Sequence, residues 1–278
     1  MNRLRRPSAT VAGTHAALLA MAAVVLFPFV WIAAAAFKTQ ITLLMGHVLF
    51  TPVLLNFQEV LFSRTSEYIH NFTNSLIVGA ASTVMVLAVA TPAAYSLHRM
   101  HWPGWVVHSL LGWSVIFHML PPITLAGAWY VMFRSVGLDN TYLGLVLAHT
   151  TLNLPMALWL MAVFVREVPV ALLEAARIDG ATTPTILRHV VVPLVMPGLM
   201  ATAILVFIFS WNEFAVALTL TQKDTATVPV AIAKYAQEYE IKYTEMAASA
   251  LLSTIPAVIL MLVGQRFIVR GLLAGAVK

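Results

Sequence analysis

The stretch FTNSLIVGAASTVMVLAVATPAAYSL, Phe72–Leu97, contains no Asp, Glu, Lys or Arg and would be apolar on every side of a helix. A bilayer core about 30 Å thick is crossed by about 20 such residues in helical form. A helix without a polar stripe suits lipid better than the surface of a globule. Five comparable stretches lie on either side of it, giving six expected spans near residues 16–37, 72–97, 105–133, 140–165, 199–220 and 246–267. The third is longer than one straight span needs, and Pro121 and Pro122 near its middle predict a kink there. Glu213 interrupts the fifth.

Composition supports this reading. Of 278 residues, 60% are hydrophobic and 10% charged, against about 45–50% and about 25% in soluble domains. A soluble enzyme, a nucleic-acid binder and a disordered scaffold are all excluded on that ground. Cysteine is absent, so there is no disulfide framework and no cysteine-ligated zinc or iron–sulfur centre. The expected class is an all-α polytopic membrane protein.

Its few charges orient the spans. With six spans both termini share a side, which holds Arg3, Arg5, Arg6, Arg99, Arg166, Arg177, Arg188, Arg266, Arg270 and Lys278 against three acids, Glu167, Glu174 and Asp179. Six basic residues face seven acids on the other side. An excess of Lys and Arg marks the cytoplasmic side, so both termini are expected there, in the plasma membrane. The first apolar stretch exceeds the roughly 7–15 residues of a signal-peptide core and reads as a retained span.

Three long connections remain, Lys38–Asn71, Arg166–Gly198 and Thr221–Glu245, and each keeps apolar residues at intervals. The second, 166–198, is the most informative. Pro169 suits a helix start, Ala171–Ile178 favour helix, and Gly180 stands where a helix would stop. Thr182 or Thr183 can cap a second helix carrying Pro184 at its first position, and Pro193 and Pro197 are expected to end it. A helix–turn–helix outside the bilayer follows, with Glu174, Arg177 and Asp179 for charge and Ala175, Ala176 and Gly180 for close approach. Such a segment can dock a cytosolic partner or rest on lipid headgroups, and the residues alone leave both readings open.

The spacing Glu174-Ala175-Ala176, three residues, Gly180, nine residues, Val190-x-Val192-Pro193 resembles the EAA loop of permease subunits of ABC importers, with valines where Ile and Leu are usual. Ile178-Asp179-Gly180-Ala181, Phe209-Ser210-Trp211-Asn212-Glu213-Phe214 and the tail Gly271–Lys278 extend the resemblance to the permeases of carbohydrate importers of the maltose-transporter type. The tail lacks the final glycine often found after the lysine. The resemblance covers roughly the whole chain. It implies a half-channel paired with a second, different permease and docked through Glu174, Ala175, Ala176, Asp179, Gly180 and Pro193 on a dimeric cytosolic ATPase that binds ATP and Mg. It also implies an extracytoplasmic sugar-binding protein, with Thr221–Glu245 reaching toward it. The C-terminal tail would touch the ATPase pair.

Chemistry-bearing residues are sparse. No Gly-x4-Gly-Lys-Ser/Thr loop is present, so ATP hydrolysis is expected in a separate subunit and this chain is not expected to be an enzyme. Glu213 is the one acid within a span, where a charge costs at least ~2.5 kcal/mol. It is therefore either a structural carboxylate, part of a solute path, or the ion site of a secondary transporter. Trp211, Asn212 and Glu213 together offer an aromatic face and hydrogen-bonding groups suited to a sugar. Asn153, two residues before Pro155, can satisfy a backbone carbonyl that the proline frees, or a ligand. The nine histidines are scattered without a His-Glu-x-x-His pair, and no metal site is expected. A permease for a non-sugar solute is the alternative within the same family.

Overall fold

A computed structural model describes residues 9–236 and 241–276. Arg3, Arg5, Arg6 and Lys278 lie outside them, and the side chains of Arg266, Arg270 and the Gly271–Lys278 tail are likewise outside the described set. Among the described residues every regular element is helical. The chain divides into two compact units, Met1–Ser66 with Ile232–Leu252, and Glu67–Ala231 with Ser253–Lys278.

In the first unit α1 (Ala9–Ala36) is followed by a turn from which Lys38 folds back. Lys38 is only 3% exposed. Its ammonium donates to the His47 carbonyl at 2.7 Å and lies 5.1 Å from the Trp31 ring centre and 4.9 Å from that of Phe50. Carbonyl and aromatic faces thus replace its water. Asn56, in α3 (Leu55–Phe62), donates to the Ala36 and Lys38 carbonyls at 2.7 and 2.8 Å and so closes the end of α1. The short α2 (Gln40–Leu44) begins with Gln40, whose amide donates to the Ile241 carbonyl at 2.6 Å.

The second unit is built on α4 (Tyr68–Arg99), α7 (Tyr142–Glu167) and α11 (Met196–Trp211). Val86, Ala90 and Ala94 of α4 share one buried cluster with Ala157, Met161 and Val165 of α7 and Val206 of α11. In a bilayer, dispersion rather than water exclusion holds helices together, so small residues are favoured where backbones approach. Gly198 of α11 is such a place: a Cβ built there would lie 2.2 Å from Cγ of Phe164. A second cluster joins Val78 of α4, Phe133 of α6 (Pro122–Ser135), Leu145 and Ala148 of α7, and Val216 and Leu220 of α12 (Ala215–Leu220).

Among the described residues four helices are long and apolar enough to cross a membrane, Gly13–Ala36, Tyr68–Arg99, Tyr142–Glu167 and Tyr243–Gln265, and two bent pairs raise the number to six if each pair is one span. The helices overrun several of the expected boundaries, because polar ends such as Tyr68 and Arg99 remain helical. The last span belongs to α14 (Tyr243–Ala276).

Two expectations are corrected. The third span is broken rather than kinked: α5 (Gly104–His118) and α6 meet at 96°. Residues preceding a proline are pushed out of helical geometry, and Pro121, at φ −61 and ψ 129, is extended before Pro122 restarts the helix. In the second case Pro193 does not end the helix that precedes the fifth span. From α9 (Thr183–Ile186) the chain winds through a π-helical turn, Leu187–Val191, into α10 (Val192–Leu194) with Pro193 inside it. A wider turn moves the preceding carbonyl off the proline ring. The 81° bend comes at Val195, and Pro197 lies in the first turn of α11.

The Gly198 contact yields a test. Gly198→Ala should lower stability by about 1–3 kcal/mol through overpacking against Phe164, read as a lower midpoint of thermal unfolding in detergent. Gly112→Ala, where a Cβ meets nothing within 4 Å, should not.

Candidate functional site

Two groups of residues in the second unit carry chemistry. The first is the 166–198 loop. Pro169 stands just before α8 (Val170–Ile178), whose buried side is Leu173, 2% exposed and packed in the cluster shared by α4 and α7. Glu174 and Ala175 face outward, as do Ile178, Asp179 and Gly180.

The end of α8 explains the spacing of the motif. Asp179 is the last residue of helix-like geometry, and Gly180 has φ +79. The Gly180 N–H donates to the Arg177 carbonyl and the Ala181 N–H to the Ala176 carbonyl, both at 3.0 Å. This pair of bonds is a Schellman stop, which needs a left-handed residue at Gly180 and is commonly accompanied by apolar packing of the flanking residues, here Ala176 and Ala181. Both alanines pack on the buried cluster. Ala176 and Gly180 are therefore four apart because one supplies the carbonyl and the other the turn. The Thr182 hydroxyl meets that of Thr185 at 2.9 Å, and Ile186, 1% exposed, anchors the return. Pro193 is exposed, on the far side of the π-helical turn.

The second group surrounds the break at Asn212–Phe214, between α11 and α12. Both Glu213 oxygens are engaged: Oε1 accepts the Val216 N–H and Oε2 the Ala217 N–H, each at 2.9 Å. These are N–H groups that the start of α12 leaves without an intrahelical partner. Oε2 also lies 3.5 Å from Nε2 of His149, a fully buried residue of α7. The other ring nitrogen, Nδ1, is 2.7 Å from the Ser210 hydroxyl, which meets the Ser82 hydroxyl of α4 at 3.0 Å.

Trp211 is buried, its indole N–H donating to the Ser253 carbonyl at 3.1 Å and its ring stacked on Phe207 at 5.7 Å. Asn212 alone of the four path candidates is exposed, with its amide on the Ile208 carbonyl at 2.9 Å. Asn153 is buried and donates to the His149 carbonyl at 2.8 Å. That is not the carbonyl four residues before Pro155, which belongs to Thr151. Glu213 and Asn153 thus converge on His149. Sequence reasoning passed over His149 as one of nine scattered histidines. The available signal was its place in mid-span, four residues before Asn153. Among the described residues no group of three or more His, Cys, Asp or Glu is placed to hold a metal.

The Thr221–Glu245 connection begins as a fastened segment. Asn74 of α4 donates to the Asp224 and Ala226 carbonyls at 3.0 Å and accepts from the Tyr142 hydroxyl at 2.6 Å. Asn140, at φ 51, accepts from the Gln222 N–H and the Thr225 hydroxyl at 2.9 and 2.7 Å. Lys223 meets Glu67 at 2.9 Å, and that carboxylate holds the lysine above its ordinary range, although the exposed pair adds little stability. α13 (Val228–Lys234) follows, and residues 237–240 lie outside the described set.

Removing the Glu213 cap strips two backbone N–H groups of their acceptor in an apolar setting and should cost several kcal/mol. Glu213→Ala is expected to lower the unfolding midpoint in detergent, and Glu213→Gln to lower it less, because one amide oxygen still accepts. Equal losses would assign the effect to the contact with His149 rather than to the cap.

Comparison with known proteins bears on the whole chain. Residues 87–273 match the family model described as the binding-protein-dependent transport system inner membrane component. The trehalose transport system permease protein SugB of Mycobacterium tuberculosis is 37% identical, over 91% of this chain and 92% of that protein. The trehalose/maltose transport system permease protein MalG of Thermococcus litoralis is 35% identical, over 93% of each. Among solved structures, a bacterial ABC transporter involved in the import of alginate has a chain of the same fold, with TM-score 0.77 and 21% identity over 95% of this chain and 99% of that one. With a matching family model over more than half its length and relatives aligned nearly end to end, this chain belongs to the binding-protein-dependent transport system inner membrane component family.

Proposed function

We propose that this protein is one permease subunit of an ATP-driven importer for an oligosaccharide or glycoside. It would form half of the translocation path and pair with a second, different permease. Its termini and the 166–198 loop face the cytoplasm, as the ten basic residues against three acids on that side suggest. A dimeric cytosolic ATPase binds ATP and Mg and receives the loop, and an extracytoplasmic binding protein delivers the sugar.

One observation carries this reading. α8 is buried on its Leu173 side and exposed on its Glu174, Ala175 and Asp179 side. It is stopped by a left-handed Gly180, and a Cβ at that position would meet no atom within 4 Å. A rigid base with a charged, small-residue outer face is what a docking element requires. Carbohydrate specificity is supported by the trehalose and maltose permeases among the relatives.

Of the path candidates, Asn212 offers an exposed amide, whereas Trp211, Glu213 and Asn153 act by holding the break around it. With both carboxylate oxygens of Glu213 capping α12, ion coupling through that residue has no geometric support.

Two measurements test the proposal. Because the space at Gly180 is open, substitution there costs backbone conformation rather than contact, about 1–2 kcal/mol for most residues. In the reconstituted transporter Gly180→Val should reduce binding-protein-stimulated ATP hydrolysis about ten-fold, and Gly180→Asn, which tolerates the left-handed region, much less. Normal stimulation in the valine variant would sink the docking assignment. ATP-driven uptake by wild-type vesicles should survive a proton uncoupler at constant ATP, and Glu213→Gln should retain it; collapse in the wild type with the uncoupler would favour an ion-coupled carrier.

A further inference from the structure

The last carbonyls of α7 run out of intrahelical donors: that of Val165 takes only the long bond from the Val168 N–H at 3.3 Å, and a residue from another helix supplies a further donor. Arg99 ends α4, and its Nη2 lies 2.9 Å from the Val165 carbonyl, 3.2 Å from that of Arg166 and 2.5 Å from that of Val168. These three residues are where the chain leaves α7 and turns into α8. Among the described residues no carboxylate is within 4.0 Å of Arg99, so carbonyl dipoles at the negative end of α7 balance its charge. A permanently charged, planar guanidinium suits such a position.

The polar lock sits at the rim of a dry contact. Tyr95, one turn earlier on α4 and 2% exposed, belongs to the same buried cluster as Val165, Val168, Leu173 and Ile186. The base of the 166–198 loop is therefore packed on the last turns of α4 and fixed there by Arg99. The same helix carries Ser82, bonded to Ser210 beside the break at Asn212–Phe214. Seventeen residues separate Ser82 from Arg99, about 25 Å at 1.5 Å per residue. The helix between them is continuous, although Pro92 removes one of its hydrogen bonds.

We infer that Arg99 is a positioning residue that fixes the start of the 166–198 loop to α4, so that displacement of the loop is delivered to α4 and along it to the break beside Glu213. The coupling role rests on the docking reading above; the anchoring itself does not.

The experiment uses the whole complex reconstituted in vesicles; this chain has no cysteine of its own, and it is labelled before assembly with its partners. Met100→Cys and Ala171→Cys, both at exposed positions, carry spin labels on either side of the lock, and their distance distribution is measured alongside binding-protein-stimulated ATP hydrolysis. With Arg99 present the distribution should be narrow. Arg99→Ala should broaden it and lower stimulation about ten-fold, the scale of losing hydrogen bonds from a charged donor, with unstimulated hydrolysis unchanged. Arg99→Lys should recover most of both, since an ammonium can donate to the same carbonyls. If Arg99→Ala does not assemble, Arg99→Met, which keeps most of the side-chain length and has no donor, is read in the same way. A narrow distribution without Arg99 overturns the anchoring and leaves the docking reading standing. A broad one with unchanged stimulation overturns the coupling role of Arg99 and leaves the docking reading to the Gly180→Val measurement.

Discussion

A backbone amide or carbonyl that loses its helical partner inside a bilayer has no water to turn to, and an unsatisfied group there costs several kcal/mol. This fold contains several helix breaks, and polar side chains close some of the groups that the breaks expose. The start of α12 is closed by both oxygens of Glu213. Arg99 closes the end of α7 and Asn56 that of α1. In the 166–198 loop the backbone closes its own ends, through the Schellman stop at Gly180 and the π-helical turn before Pro193.

This constraint gives the two functional groups a common physical origin. Breaking the fifth span at Asn212–Phe214 requires an acceptor, which brings Glu213, then His149 and Ser210, into an apolar core, and leaves Asn212 exposed beside them. Leaving α7 for the loop requires a donor, which brings Arg99 to the loop's base. α4 touches both places, through Ser82 at one and Arg99 at the other. Its small residues Ala90 and Ala94 share one buried cluster with Ala157, Met161 and Val165 of α7.

Much of the fold was legible because hydrophobic length is a local property. The run Phe72–Leu97 announces a span without reference to any other residue, and the glycine after Ile178 announces a helix end. The spacing of Ala176 and Gly180 is equally local, since both bonds of the stop lie within six residues. Prolines were harder to read. Pro121–Pro122 and Pro193 look alike as helix breakers, yet the first pair yields a right-angled turn and the other is absorbed by a widened turn. The difference lies in the geometry of the preceding carbonyls, which composition does not specify.

By itself the sequence determined the helical membrane class, the positions of the apolar runs, the loop motif with its glycine turn, and the family resemblance. All of these depend on residue type and short spacing. Only the tertiary structure decided that Glu213 caps a helix rather than standing open, that His149 is its neighbour, and that Arg99 grips carbonyls 66 to 69 residues away. The reason is that a polar group in an apolar core is defined by its partner, and these partners lie on other helices.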